Sequence, residues 1–126
     1  MFDQFKQDLT IVIEDDPRTN AIFNFNMTNT NSEKLWDFEN FDVIVTYDST
    51  GTTYTETISY VSSCPPVPGE WCISSWITDV IDPEILNNGE TMNFRVTVQN
   101  NLESSTNLIV IVSTPNGVVA SATRTV

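Results

Sequence analysis

Between Ala21 and Asn29 the chain sets Phe23, Phe25 and Met27 at every second position, with Asn24, Asn26 and Thr28 between them. A period of two sends one set to one face of an extended strand and the other set to the opposite face, so this stretch reads as a half-buried β-strand. The same alternation returns from Thr91 to Gln99, where Met92, Phe94, Val96 and Val98 share the inner face. β-branched and aromatic residues dominate the other apolar runs, and clusters of Asn, Asp, Gly, Ser and Pro separate them. Helix signals are weak.

An all-β fold is therefore expected. Strands are read at Asp8 to Glu14, Ala21 to Asn29, Asp42 to Asp48, Thr52 to Val61, Trp71 to Thr78, Thr91 to Gln99, Leu108 to Thr114 and Val118 to Val126. Ser49-Thr50-Gly51 signals a hairpin turn between the third and fourth. Asn29 to Phe41 has little periodicity and reads as a crossing connection with a short helical turn; its Leu35, Trp36 and Phe38 are too apolar to stand in water. Asp79 to Glu90 reads as a long loop with an apolar anchor at Ile85-Leu86, and the nearly continuous apolar run from Leu108 to Thr114 as a central strand covered on both sides. Seven or eight strands at this spacing suit a two-sheet antiparallel immunoglobulin-like β-sandwich. At 126 residues and 40% apolar content, one domain over residues 8–126 can bury a core of its own.

Charge and composition remove several functions. Seventeen acidic residues against five basic ones leave a net charge of −12, spread along the chain. Phosphate backbones and anionic lipid surfaces both demand a basic face that five cations cannot supply. The chain has no histidine, which eliminates Ser-His-Asp and Cys-His catalysis and any zinc site that uses imidazole. No G-x-S-x-G nucleophile motif is present. An enzyme is not expected, nor a cofactor.

The candidate sites are few. Cys64 and Cys72 bracket CPPVPGEWC, too few ligands for zinc and too far apart, with too much proline, for a redox pair. A disulfide at the neck of a hairpin between Val61 and Ile73 fits the spacing best, and two free thiols are the alternative; a disulfide would set the domain outside the reducing cytosol. Asn26-Met27-Thr28 is an N-x-T sequon on the outer face of its strand, either a glycan site or a chance match. Asp15-Asp16, Asp37-Glu39 and Asp79-Asp82-Glu84 offer oxygen ligands to calcium but lack EF-hand regularity, and read as solvated acidic surface. Trp71 and Trp76 lie five apart, so in an unbroken strand they face opposite ways. With Trp71 and Ile73 inward, Trp76 stands outside beside Cys72 as an interface anchor; a bulge or the loop after it would place Trp76 inside. Thr52 to Tyr60, rich in Thr and poor in charge, is a candidate edge strand whose Thr53, Thr55 and Thr57 could pair with another copy.

Several stretches taken in order are similar to the extracellular β-domain of archaellum-associated type IV pilin-like proteins, the group of the archaellins and of the stator-type accessory proteins FlaF and FlaG. The stretches are Lys34-Leu35-Trp36-Asp37-Phe38, then Phe41 to Tyr47, Trp71-Cys72-Ile73, the run from Asp79 to Glu90, and Ser113 to Ala122. The cysteine loop lies outside this resemblance. The resemblance implies a non-enzymatic role in cell-surface motility. A stator-type protein would stand between membrane and surface layer and bind surface-layer protein and another archaellum accessory protein; an archaellin would use the same domain as the outer face of a filament. An unrelated cell-surface module that binds protein or sugar is the further alternative. Such proteins begin with a hydrophobic N-terminal helix, which supplies any membrane contact and is absent from this chain. Phe2, Phe5 and Leu9 have helix-like spacing, so residues 1–7 read as the remnant of that helix or as a linker.

Overall fold

The structure is a computed structural model that describes residues 9–13, 21–30, 34–78, 85–103, 105–115 and 117–126. The described residues form eight strands: β1 (Leu9–Ile13), β2 (Ile22–Asn29), β3 (Asp42–Ser49), β4 (Thr52–Tyr60), β5 (Glu70–Thr78), β6 (Thr91–Thr97), β7 (Asn107–Ser113) and β8 (Val119–Thr125). The expected all-β fold is what the protein adopts. In place of two separate sheets, however, the strands follow one continuous order, β1-β2-β6-β5-β4-β3-β7-β8. Every neighbouring pair is antiparallel except β4 and β5, which run parallel and meet only at Ser59↔Glu70 and Tyr60↔Trp71. The sheet curls until the terminal strands of the order, β1 and β8, come within 8 Å of each other, Cα to Cα.

The curl is dictated by the alternation. Phe23, Phe25 and Met27 of β2, Met92, Phe94 and Val96 of β6, Val43 and Val45 of β3, and Leu108, Val110 and Val112 of β7 all turn inward and are essentially inaccessible. Each fully buried side chain of this size contributes roughly 1.5–3 kcal/mol, so closing the sheet on itself is the strongest local preference the chain has. On β7 the burial alternates: Ile109 and Ile111 on the other face are only half-buried. The continuous apolar run therefore has one covered face and one partly open one.

The turns carry their own signals. Thr50 and Gly51 have φ of 48° and 81°, the left-handed pair that a two-residue hairpin needs to match strand twist. The described part of the connection after β2 contains a 3-10 turn, Phe38–Asn40, and an isolated antiparallel bridge between Leu35 and Leu86. Leu35 and Leu86 exchange both backbone hydrogen bonds, at 3.0 and 2.7 Å. The buried Asn29 donates from Nδ2 to the Leu86 carbonyl at 2.8 Å, and the Gly89 amide donates to the Asn29 carbonyl. Leu86 thus anchors its segment as expected, whereas Trp36 does not pack inside: it is 63% exposed while Leu35 and Phe38 on either side are buried.

Candidate interaction surfaces

The β4 strand has one side occupied and one side mostly open. Its pairing with β3 runs from Thr52 to Ile58, and its pairing with β5 is confined to Ser59 and Tyr60. The Ser59 amide donates to the Gly69 carbonyl and the Val61 amide to that of Trp71, so odd-numbered residues aim their N–H groups away from β3. By alternation, Thr53, Thr55 and Thr57 direct theirs to the open side, and their side chains are exposed. Along Thr52 to Ile58 the strand is an edge, and beyond it the strand is interior.

Inward from that edge sits a charged side chain. Glu56 accepts hydrogen bonds from the Tyr47 hydroxyl and from the Gln99 amide at 3.0 Å, and its Oε1 is buried with no partner. The Tyr47 hydroxyl in turn accepts from the Asn100 backbone N–H and Nδ2. Burial raises the Tyr47 pKa above its ordinary value, and the Glu56 carboxylate adds to the rise. Together these groups fasten the β6–β7 crossing to the β3–β4 hairpin. Alternation alone could not reveal the pair, since a Glu on a Thr-rich strand reads as solvated.

A bulge decides between the two readings of Trp76. Trp71 stands opposite Val96 and Ile73 opposite Phe94, but the ladder then slips, so that Ser75 faces Asn93 and Trp76 faces Met92. Ser74 is the extra residue, held by a hydrogen bond from its hydroxyl to Asn93 Oδ1. One inserted residue reverses which face the next side chains take, so Trp76 comes round to the face of Trp71 and packs at the core's margin. It does not stand outside beside Cys72. Its ring meets Phe38 edge-on at 6.0 Å.

That packing leaves a groove of about 540 Å³ at the margin. Trp36, Tyr60 and Trp76 line it together with the carboxylates of Asp37 and Glu39. Asn40 Nδ2 donates to Asp37 Oδ2 at 2.9 Å and fixes that carboxylate. Sequence reading passed over this site because its lining residues lie far apart along the chain; the only local cue is a Trp flanked by carboxylates.

Cys64 and Cys72 are joined in a disulfide, with Cα atoms 5.6 Å apart. The setting differs from the expected hairpin neck. Because β4 and β5 are parallel, the proline-rich segment is a return loop that brings the chain back to start β5 beside the end of β4. Cys72 lies on β5 and is buried, opposite Arg95, while Cys64 is exposed.

Asn26 lies on the face away from the core, half-buried in a row of polar pairs. Its Oδ1 accepts from Asn93 Nδ2 at 2.8 Å, Thr28 and Thr91 share a hydroxyl contact of 2.8 Å, and Arg95 Nε donates to Asn24. Nδ2, the atom a glycan would modify, is not the one used toward Asn93. Among the described residues no group of three or more acidic, Cys or His side chains could hold a metal ion. Asp15, Asp16, Asp79, Asp82 and Glu84 lie outside the described residues, as do residues 1–7. No helix of the described residues is long and apolar enough to cross a membrane.

The overall fold is similar to those of solved archaellum proteins. The archaellum periplasmic stator protein FlaG from Sulfolobus acidocaldarius superposes with a TM-score of 0.62 at 17% identity, over 92% of this chain and 99% of that one. The periplasmic stator complex of FlaF and FlaG from the same organism gives 0.62 at 18% identity, over 98% and 96%. The archaeal flagellin FlaB1 from Methanocaldococcus jannaschii gives 0.66 at 12% identity, over 94% and 86%. No family model matches the sequence, and no curated protein matches it.

Proposed function

We propose that this chain is a non-enzymatic structural and interaction domain of the archaeal motility machinery, a stator-type accessory protein that holds the archaellum to the surface layer. The observation that carries the reading is the end-to-end likeness to the stator protein FlaG, which leaves almost none of that chain uncovered. A fold alone does not fix a function. Two further features support this one. The disulfide suits a compartment outside the reducing cytosol, and the open side of β4 offers backbone groups to a protein partner or a second copy. The partners would be surface-layer protein and a second accessory protein, the latter in keeping with the FlaF–FlaG complex among the structural neighbours.

The higher superposition score of the flagellin favours one alternative, a filament subunit. Sedimentation separates the two. The purified protein is expected to pellet with isolated surface-layer sheets and to remain in the supernatant when archaellins polymerise. Pelleting only with growing filaments would replace the stator reading with the filament one, and pelleting with neither would remove both.

A further inference from the structure

We propose that the groove between Trp36 and Trp76 receives an arginine or lysine side chain from a basic, flexible segment of a protein partner. This holds for a stator component and for a filament subunit alike, so its failure would leave the fold-based reading standing.

The argument starts from Trp36. Trp36 is 63% exposed, and the residues on either side of it are held in place. On one side, Leu35 is locked to Leu86 by the reciprocal backbone bonds at 3.0 and 2.7 Å. On the other, Phe38 is buried, with its carbonyl accepting from Phe41 at 3.1 Å, and meets Tyr60 at 6.4 Å and Trp76 at 6.0 Å. Trp36 is thus held out from a fixed frame, the low-entropy presentation that makes aromatic residues effective anchors.

The lining then selects the guest. Indole and phenol faces carry negative potential and attract a cation placed above them. Asp37 and Glu39 add two carboxylates to the lining, which has no lysine or arginine among its described residues. The whole chain carries −12, so a cationic segment is also drawn in at long range. A sugar would suit the aromatic walls, but its hydroxyl oxygens need donors. Among the described lining residues the neutral donors are the hydroxyls of Ser62 and Tyr60 and the indole N–H groups of Trp36 and Trp76, and none of them neutralises the two carboxylates. Guanidinium and ammonium groups are pure donors, matching the carboxylates of the lining.

The test is an isotope-labelled NMR titration with a short, unstructured glycine–arginine peptide. A glycine–glutamine peptide of the same length and a neutral trisaccharide serve as comparisons. The arginine peptide is expected to bind saturably and to shift the Trp36 and Trp76 indole resonances. Affinity should fall about fivefold or more in Trp36→Ala, which keeps every charge, and again in the pair Asp37→Asn with Glu39→Gln. Each variant's spectrum outside the groove reports that it is folded. Equal affinity in Trp36→Ala would mean diffuse attraction to an acidic protein and would overturn the proposal. So would saturable binding of the trisaccharide without the peptide, or no shift with any probe.

Discussion

Trp71 of β5 and Phe94 of β6 lie face to face, ring centroids 4.5 Å apart and planes within 1° of parallel. Tyr60 and Phe41 close on the same indole at 4.8 and 6.5 Å. The indole Nε1 in this apolar nest is buried without a hydrogen-bond partner.

Two substitutions separate packing from polarity here. Trp71→Ala is expected to destabilise by about 3–5 kcal/mol, the usual range for emptying a buried aromatic site. Trp71→Phe leaves a smaller void and also removes a donor whose burial costs about 1–3 kcal/mol, so its net loss should stay under about 2 kcal/mol. Urea unfolding midpoints measure both; equal losses would mean that the indole N–H is satisfied in solution.

The disulfide closes a short loop. By the loop-entropy model, replacing Cys64 and Cys72 with serine should cost about 2–3 kcal/mol, and reductant should lower the melting temperature of the parent but not of the variant. An unchanged melting temperature on reduction, with both thiols then reacting, would show that the bond adds no stability.

Tyr47 supplies a pH dependence at the alkaline end. Its folded-state pKa lies above the ordinary value of 10.0, so the native state holds this proton where the unfolded chain has begun to release it. Stability is therefore fully present below about pH 10 and is lost as pH rises through the folded pKa. Tyr47→Phe should flatten that alkaline decline in urea midpoints taken from about pH 9 to about pH 11. It should also lower stability near neutrality by about 1–3 kcal/mol, because Glu56 and Asn100 lose their shared partner. A decline as steep in the variant as in the parent would assign it to other groups.

The open side of β4 makes a clean test of self-association. Thr55 points its N–H away from β3, so Thr55→Pro keeps the β3–β4 ladder and should cost no more than about 1 kcal/mol, including the Thr46–Thr55 hydroxyl contact at 3.1 Å. If copies pair through this edge, mass in solution should fall from an oligomer to a monomer in the variant. A parent already monomeric at high concentration would remove the idea.

Much of the fold could be read from the chain because alternation is a local signal: Phe23, Phe25, Met27, Met92, Phe94 and Val96 each reveal their own face. The turn at Thr50-Gly51 is likewise local. Three features could not be read in this way. The bulge at Ser74 is invisible because the residues around it fit an unbroken strand equally well, and that single insertion decides where Trp76 points. The parallel pairing of β4 and β5 is not legible because a short proline-rich link ordinarily joins antiparallel neighbours. The Trp36 groove joins residues whose proximity depends on the Leu35–Leu86 bridge, a contact between two segments without periodicity.

The seam between β4 and β5 gives the sheet a place to yield and a limit to how far it can. Only two residue pairs span it, so a load that shears one half of the barrel-like curl past the other would separate these strands before any of the longer ladders. Cys64 is tied to Cys72 just beyond the seam. While that bond holds, the end of β4 can move from β5 only by the slack of the chain between Tyr60 and Cys64, about 13 Å at full stretch. The disulfide thus sets a covalent limit on how far the two strands can part at their weakest pairing.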